Sequence, residues 1–122
     1  MPHRTQLTAV ADAHQDALRR FKAGVFQSLG HPTRIHIVEV LRDGEQPVGA
    51  ILAKVGGEPA NLSQHLAVLR SKRLVQTRKE ANLVFYRLSD PLLVEVLDIM
   101  RRYFLSHLEE SLAMLKEIES ER

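Results

Sequence analysis

The chain has 122 residues, 44% of them hydrophobic and 26% charged, with 4 Phe, 2 Tyr, no Trp and no Cys. That length suits one domain with a single small core filled by Leu, Val, Ile and Ala, and the lack of cysteine excludes disulfides, thiolate metal sites, iron–sulfur clusters and thiol redox chemistry. The longest apolar run, Val48 to Ala53, falls far short of the roughly 20 residues a membrane span needs, and the N-terminus shows no apolar signal core, so a cytoplasmic protein with no membrane partner is expected.

Net charge is +2, but it is unevenly spread. Residues 1–53 carry six basic against five acidic side chains, residues 54–87 seven against two, and the remainder four against eight, giving +1, +5 and −4. A basic middle between neutral and acidic flanks suits a nucleic-acid contact face, because attraction to phosphate is local to the docking surface. A merely solvated face accounts for the same charges.

Apolar residues at Leu7, Val10, Leu18, Phe21, Val25 and Leu29 recur at helical spacing and predict a first helix over about 8–28. Gly30-His31-Pro32 ends it, and Pro32 suits the first position of a second helix running to about Arg42. Ile35, Ile37, Val38, Val40 and Leu41 cover more than half its circumference, so this helix is expected at the centre of the core. His31 and His36 are read as cap and core-edge residues. Pro47 opens a short helix with Val48, Ile51, Leu52 and Val55 on one face, and Gly56-Gly57 stops it. A further helix, Pro59 to about Lys72, turns Leu62, Leu66 and Leu69 inward and leaves Asn61, Gln64 and His65 outward. Two short helices joined by a Gly-containing turn form a helix-turn-helix pattern.

After Arg73 the period falls from 3.6 to 2. Leu74–Arg78 and Leu83–Leu88 flank a polar turn in which Asn82 is expected to supply the left-handed residue, which reads as a β-hairpin. Ser89-Asp90-Pro91 caps a last helix over about 91–119, whose stripe runs through Leu93, Leu97, Met100, Phe104, Leu108, Leu112, Leu115 and Ile118. A helix near 30 residues spans roughly 45 Å. Its excess length is expected to face a second copy.

This order of elements is mainly α with a small β-hairpin, a winged helix-turn-helix. The segments FQSLGHPTRIHIVEVL (26–41) and NLSQHLAVLRSKRLVQTRKEANLVFYRLSDP (61–91) resemble the ArsR/SmtB family of bacterial metal- and ligand-responsive repressors. The likeness spans about residues 18–105. It rests on a Gly-x-Pro-Thr-Arg helix start, a Ser-x-His-Leu recognition helix and a wing strand with paired aromatics. The resemblance implies one winged-helix domain over 1–122 that dimerises through its first and last helices, with Leu18, Phe21, Leu97, Met100, Phe104 and Leu108 in the seam. It also implies recognition helices in successive major grooves of double-stranded DNA at an inverted-repeat operator, and repression released by an effector.

Base readout needs donors and acceptors on an exposed helix start, which Asn61, Ser63 and Gln64 provide. His65 is grouped with them, with orienting the helix or touching phosphate as its other roles. Phosphate contacts need positive charge and reach, so Arg70, Lys72, Arg73, Arg78 and Lys79 are candidates, with the backbone N–H of Thr33 as a further donor.

At the family's metal sites the chain departs from the pattern. Pro47 and Gly49 stand where thiophilic-metal sensors carry cysteines. Of the site on the last helices only Asp90 is kept, while Leu92, Tyr103 and Ser106 replace the other three ligands. His107 and Glu110, one turn apart, form at most half of a different site, completed by His3 or His14 of a partner; on a Glu-rich helix such a pair is ordinarily a solvated hydrogen bond. No resident metal or cofactor is therefore expected. The effector is left open between a small organic molecule, a metal at a new site and none. No Gly-rich phosphate loop and no carboxylate cluster off the solvated helices supports an enzyme. The rival readings are a winged-helix protein-interaction module and a metal sensor built on His and Glu.

Overall fold

The computed structural model describes residues 2–121, and the side chains of residues 6–121. In chain order the elements are α1 (Pro2–Ser28), α2 (Pro32–Val40), a 3-10 turn (Leu41–Asp43), β1 (Gln46–Pro47), α3 (Val48–Val55), α4 (Pro59–Ser71), β2 (Val75–Glu80), β3 (Leu83–Leu88) and α5 (Leu92–Ser120). They fall into two compact units, residues 1–89 and 90–122. Among the described residues no helix is long and apolar enough to cross a membrane.

In the first unit α2 is the central helix, as its wide apolar surface predicts. Ile37 and Val38 are fully buried, and α2 packs on both α3 and α4. Leu62, Leu66 and Leu69 project from α4 into the same core, joined by Ile51 of α3 and by Leu74, Val75 and Leu88 of the wing. Burying side chains of this size contributes about 1.5–3 kcal/mol each against leaving them in water. The α3–α4 turn runs through Gly56 and Gly57, both at positive φ (80° and 81°), a conformation that would strain any residue bearing a Cβ.

The wing differs from a simple hairpin. Gln46 and Pro47 form an additional strand, and the sheet order is β1-β3-β2, antiparallel throughout. Pro47 pairs opposite Phe85 at the sheet edge, where a residue lacking an N–H is tolerated. It therefore closes the strand and precedes α3, which begins at Val48, rather than opening the helix as the sequence suggests. A two-residue strand has no periodicity by which to announce itself. At the wing tip the left-handed residue is Ala81 (φ 54°), not Asn82. Strand register decides this: Glu80 pairs with Leu83, so Ala81 is the first residue of the two-residue loop.

Helix α4 ends in a Schellman motif. The Leu74 N–H bonds the Leu69 carbonyl (2.9 Å) and the Arg73 N–H bonds that of Arg70 (2.9 Å), with Arg73 in the left-handed position (φ 59°) that glycine usually takes. Helix α1 begins at Pro2, six residues before the expected start, because an apolar stripe marks the face a helix can bury, not where its hydrogen bonding begins. Phe21 of α1 is largely exposed, and so is Leu7.

The second unit is α5, 29 residues long. Asp90 Oδ1 accepts the Leu92 N–H at 2.9 Å, satisfying one of the orphan amides at the helix start. No α5 side chain is fully buried. Met100, Phe104, Leu108, Leu112, Leu115 and Ile118 are all exposed, forming a long apolar stripe.

Candidate nucleic-acid interface

On α4 the buried stripe leaves Asn61, Ser63 and Gln64 exposed on the opposite side. Unbonded amide groups of Asn and Gln can present donor and acceptor together, the combination that matches an adenine edge. Arg70, Lys72 and Arg73 at the end of α4 and Lys79 on β2 are also exposed. No ion pair is recorded for these four among the described residues.

Three residues that the sequence places with this surface are differently engaged. His65 is half-buried and turned toward the start of α2. Its Nδ1 lies 3.2 Å from Arg34 Nη1, and its ring centroid lies 4.2 Å from that of His31. Burial chiefly, with the nearby His31 and Arg34 adding to it, holds the His65 pKa below the ordinary imidazole value. The Thr33 N–H donates to His31 Nδ1 at 3.1 Å, so the amide offered to phosphate is already the capped amide of α2.

Arg78 is the third. Its Nη2 lies 2.6 Å from Glu45 Oε1 and its Nε 3.2 Å from both Glu45 oxygens, while Nη1 lies 2.6 Å from Glu80 Oε2. The guanidinium also sits 4.6 Å from the centroid of Phe85, its cross-strand partner. The carboxylates raise the Arg78 pKa, and the guanidinium holds Glu45 below the usual carboxylate range. Already carrying two carboxylates, Arg78 ties the segment before β1 to the wing and is a poor candidate for a phosphate ligand.

Sequence reasoning missed Arg34 and Glu45, which act through residues 31 and 33 positions away. The Pro-Thr-Arg helix start was the available signal for Arg34. Nothing local marks Glu45. Among the described residues no three His, Asp or Glu side chains converge on a point that could hold a metal. His107 and Glu110 are exposed on α5, and the side chain of His3 lies outside the described residues.

A helix-turn-helix with a polar, unbonded outer face, followed by a three-stranded wing, defines the winged-helix class of DNA-binding proteins. Residues 31–77 match the model of the bacterial regulatory protein arsR family. The HTH-type transcriptional regulator Rv0081 of Mycobacterium tuberculosis is 36% identical over 104 residues, 84% of this chain and 91% of that one. Its crystal structure superposes with a TM-score of 0.70, covering 78% and 96% of the two chains at 36% identity. The homodimeric winged helix-turn-helix domain of Mb0332 from Mycobacterium bovis, described as a possible ArsR-family regulator, gives 0.69 at 28% identity, covering 79% and 89%. The transcriptional repressor BigR from Xylella fastidiosa gives 0.67 at 31% identity, covering 76% and 93%. The chain belongs to the ArsR family and is a DNA-binding transcriptional regulator.

Proposed function

We propose that the protein is a cytoplasmic repressor that binds an imperfect inverted repeat in double-stranded DNA as a homodimer. In this reading residues 1–122 act as one DNA-binding domain in which α1 and α5 supply the dimer contacts. Asn61, Ser63 and Gln64 read base edges in the major groove, and Arg70, Lys72, Arg73 and Lys79 contact phosphate. The observation that carries this reading is the face of α4, where three polar side chains stand exposed beside a fully buried leucine stripe. A solvated helix needs no such company of unpaired cations at its end and on the adjoining wing. The homodimeric neighbour from Mycobacterium bovis and the repressor from Xylella fastidiosa support the assembly and the sign of regulation.

Base and phosphate contacts separate by mutation. Gln64→Ala is expected to cost about 1–3 kcal/mol per half-site and to relax preference at one base pair. Lys79→Ala is expected to weaken all duplexes alike and make the salt slope shallower by about one unit per lost phosphate contact. Titration of selected and scrambled duplexes over a range of salt measures both. If neither substitution changed binding, the helix-turn-helix would be a protein-docking surface instead.

A further inference from the structure

The leucine stripe that seats α4 on the core is non-directional: apolar burial resists withdrawal of the helix far better than it resists a small roll or slide. Base readout is sensitive to that freedom, because a bidentate side chain tolerates little displacement from its base edge. The N-terminal end of α4, where Asn61, Ser63 and Gln64 sit, has little else to fix it. Glu58 at the N-cap makes no side-chain hydrogen bond to the helix. The directional tie recorded there is His65 to Arg34.

Arg34 gives that tie its stiffness. Its Nε donates to the Ser28 carbonyl and its Nη2 reaches the Gln27 carbonyl at 3.5 Å, so one planar guanidinium grips the last turn of α1 while Nη1 meets His65. Ser28 is itself buried, with its hydroxyl bonded to the Gly24 carbonyl at 2.8 Å. A guanidinium only donates, so His65 Nδ1 must be unprotonated and the ring's proton must sit on Nε2. The neighbouring His31 is locked in the same tautomer, because its Nδ1 accepts the Thr33 N–H.

Resting on the reading of α4 as the DNA-reading helix, we propose that neutral His65 is a positioning residue: by accepting the Arg34 guanidinium it sets how Asn61, Ser63 and Gln64 meet the bases, and sequence discrimination is lost when the imidazole is protonated. A proton on Nδ1 would replace the acceptor with a donor and place a cation against Arg34 and His31. Among the described residues no carboxylate acts on the ring to offset that charge. From α2 the ring meets Arg34 and His31, and α1 contributes carbonyls to Arg34. On β2, which also packs on α4, Arg78 and Glu80 pair with each other, Lys79 is exposed, and none of the three perturbs the ring. The lowered His65 pKa accords with this arrangement. The fold favours the neutral ring, so the tie is complete above the ordinary imidazole range and is lost as pH falls through the depressed value.

Protonation also adds charge that attracts any duplex, and a ratio of affinities removes that effect because phosphate attraction carries no sequence information. The experiment measures binding of the full chain to a duplex selected from a random library by the wild-type protein, and to a scrambled duplex, from about pH 8 to about pH 5.5. The wild-type ratio is expected to fall about tenfold over that range. His65→Leu should show the low ratio already at pH 8, with scrambled binding within about twofold of wild type. His65→Asn, whose Oδ1 replaces the acceptor and does not titrate, should keep the high ratio and lose most of the pH dependence. A His65→Leu protein with the wild-type ratio, or undiminished pH dependence in His65→Asn, would overturn the proposal. Gln64→Ala is the reference: if it collapses the ratio while the His65 variants leave it untouched, only the positioning role fails, and if no duplex is enriched, the reading of α4 fails and the proposal with it.

Discussion

Among the described residues, two other than glycine hold a left-handed backbone. Arg73 closes the Schellman motif of α4 and Ala81 forms the wing tip. The left-handed conformation costs an L-residue about 1–2 kcal/mol, and glycine at either position would remove that cost. At position 73 the left-handed residue carries a cation, exposed where the end of α4 meets the wing, and in the proposed function that cation contacts phosphate. Arg73→Gly is accordingly expected to raise stability by about 0.5–1 kcal/mol, the relief being partly offset by the greater freedom of glycine in the unfolded chain. DNA affinity should fall for all duplexes, with a salt slope shallower by about one unit per protomer. Denaturant unfolding and salt titration read the two effects separately. The sequence pointed to a left-handed residue at the wing tip and placed it at Asn82, the better intrinsic candidate. The register of Glu80 opposite Leu83 overrode that preference.

At the scale of elements, what was legible in the sequence is what repeats. The 3.6-residue spacing of Leu62, Leu66 and Leu69 placed α4 and its inward face, and the wide apolar surface of α2 marked it as central. The switch to period 2 placed β2 and β3. Features without a period escaped: the two-residue strand β1, and the ties from Arg78 to Glu45 and from His65 to Arg34, whose partners are more than thirty residues apart. Charge alone suggested that Arg78 binds phosphate, whereas its two carboxylates make it part of the wing's framework. Arg78→Ala is therefore expected to weaken binding to every duplex by leaving Glu45 and Glu80 unpaired near phosphate, with little change in salt slope. The double variant Arg78→Ala/Glu45→Gln should recover much of the loss. A slope shallower by about one unit in Arg78→Ala, with no recovery in the double variant, would return Arg78 to the phosphate contacts.

At the scale of the whole molecule, the exposed stripe of α5 is the feature a lone protomer leaves unexplained. Met100, Phe104, Leu108, Leu112, Leu115 and Ile118 continue over most of the helix, and contiguous apolar surface of that extent ordinarily marks an interface. Phe104→Glu would place a charge in the proposed seam, where burying it unpaired is costly, and sedimentation is expected to find a dimer for the wild-type protein and monomer or unfolded chain for the variant. The central claim is that a symmetric dimer reads DNA through two copies of α4. Selection of bound sequences from a library of random duplexes by the full-length protein tests it most directly. Two-fold symmetry in the protein requires matching symmetry in its site, so the enriched duplexes should be imperfect inverted repeats with half-sites centred about 10 bp apart, or a multiple of that spacing. Enrichment of a single unpaired half-site, or no enrichment at all, would contradict it.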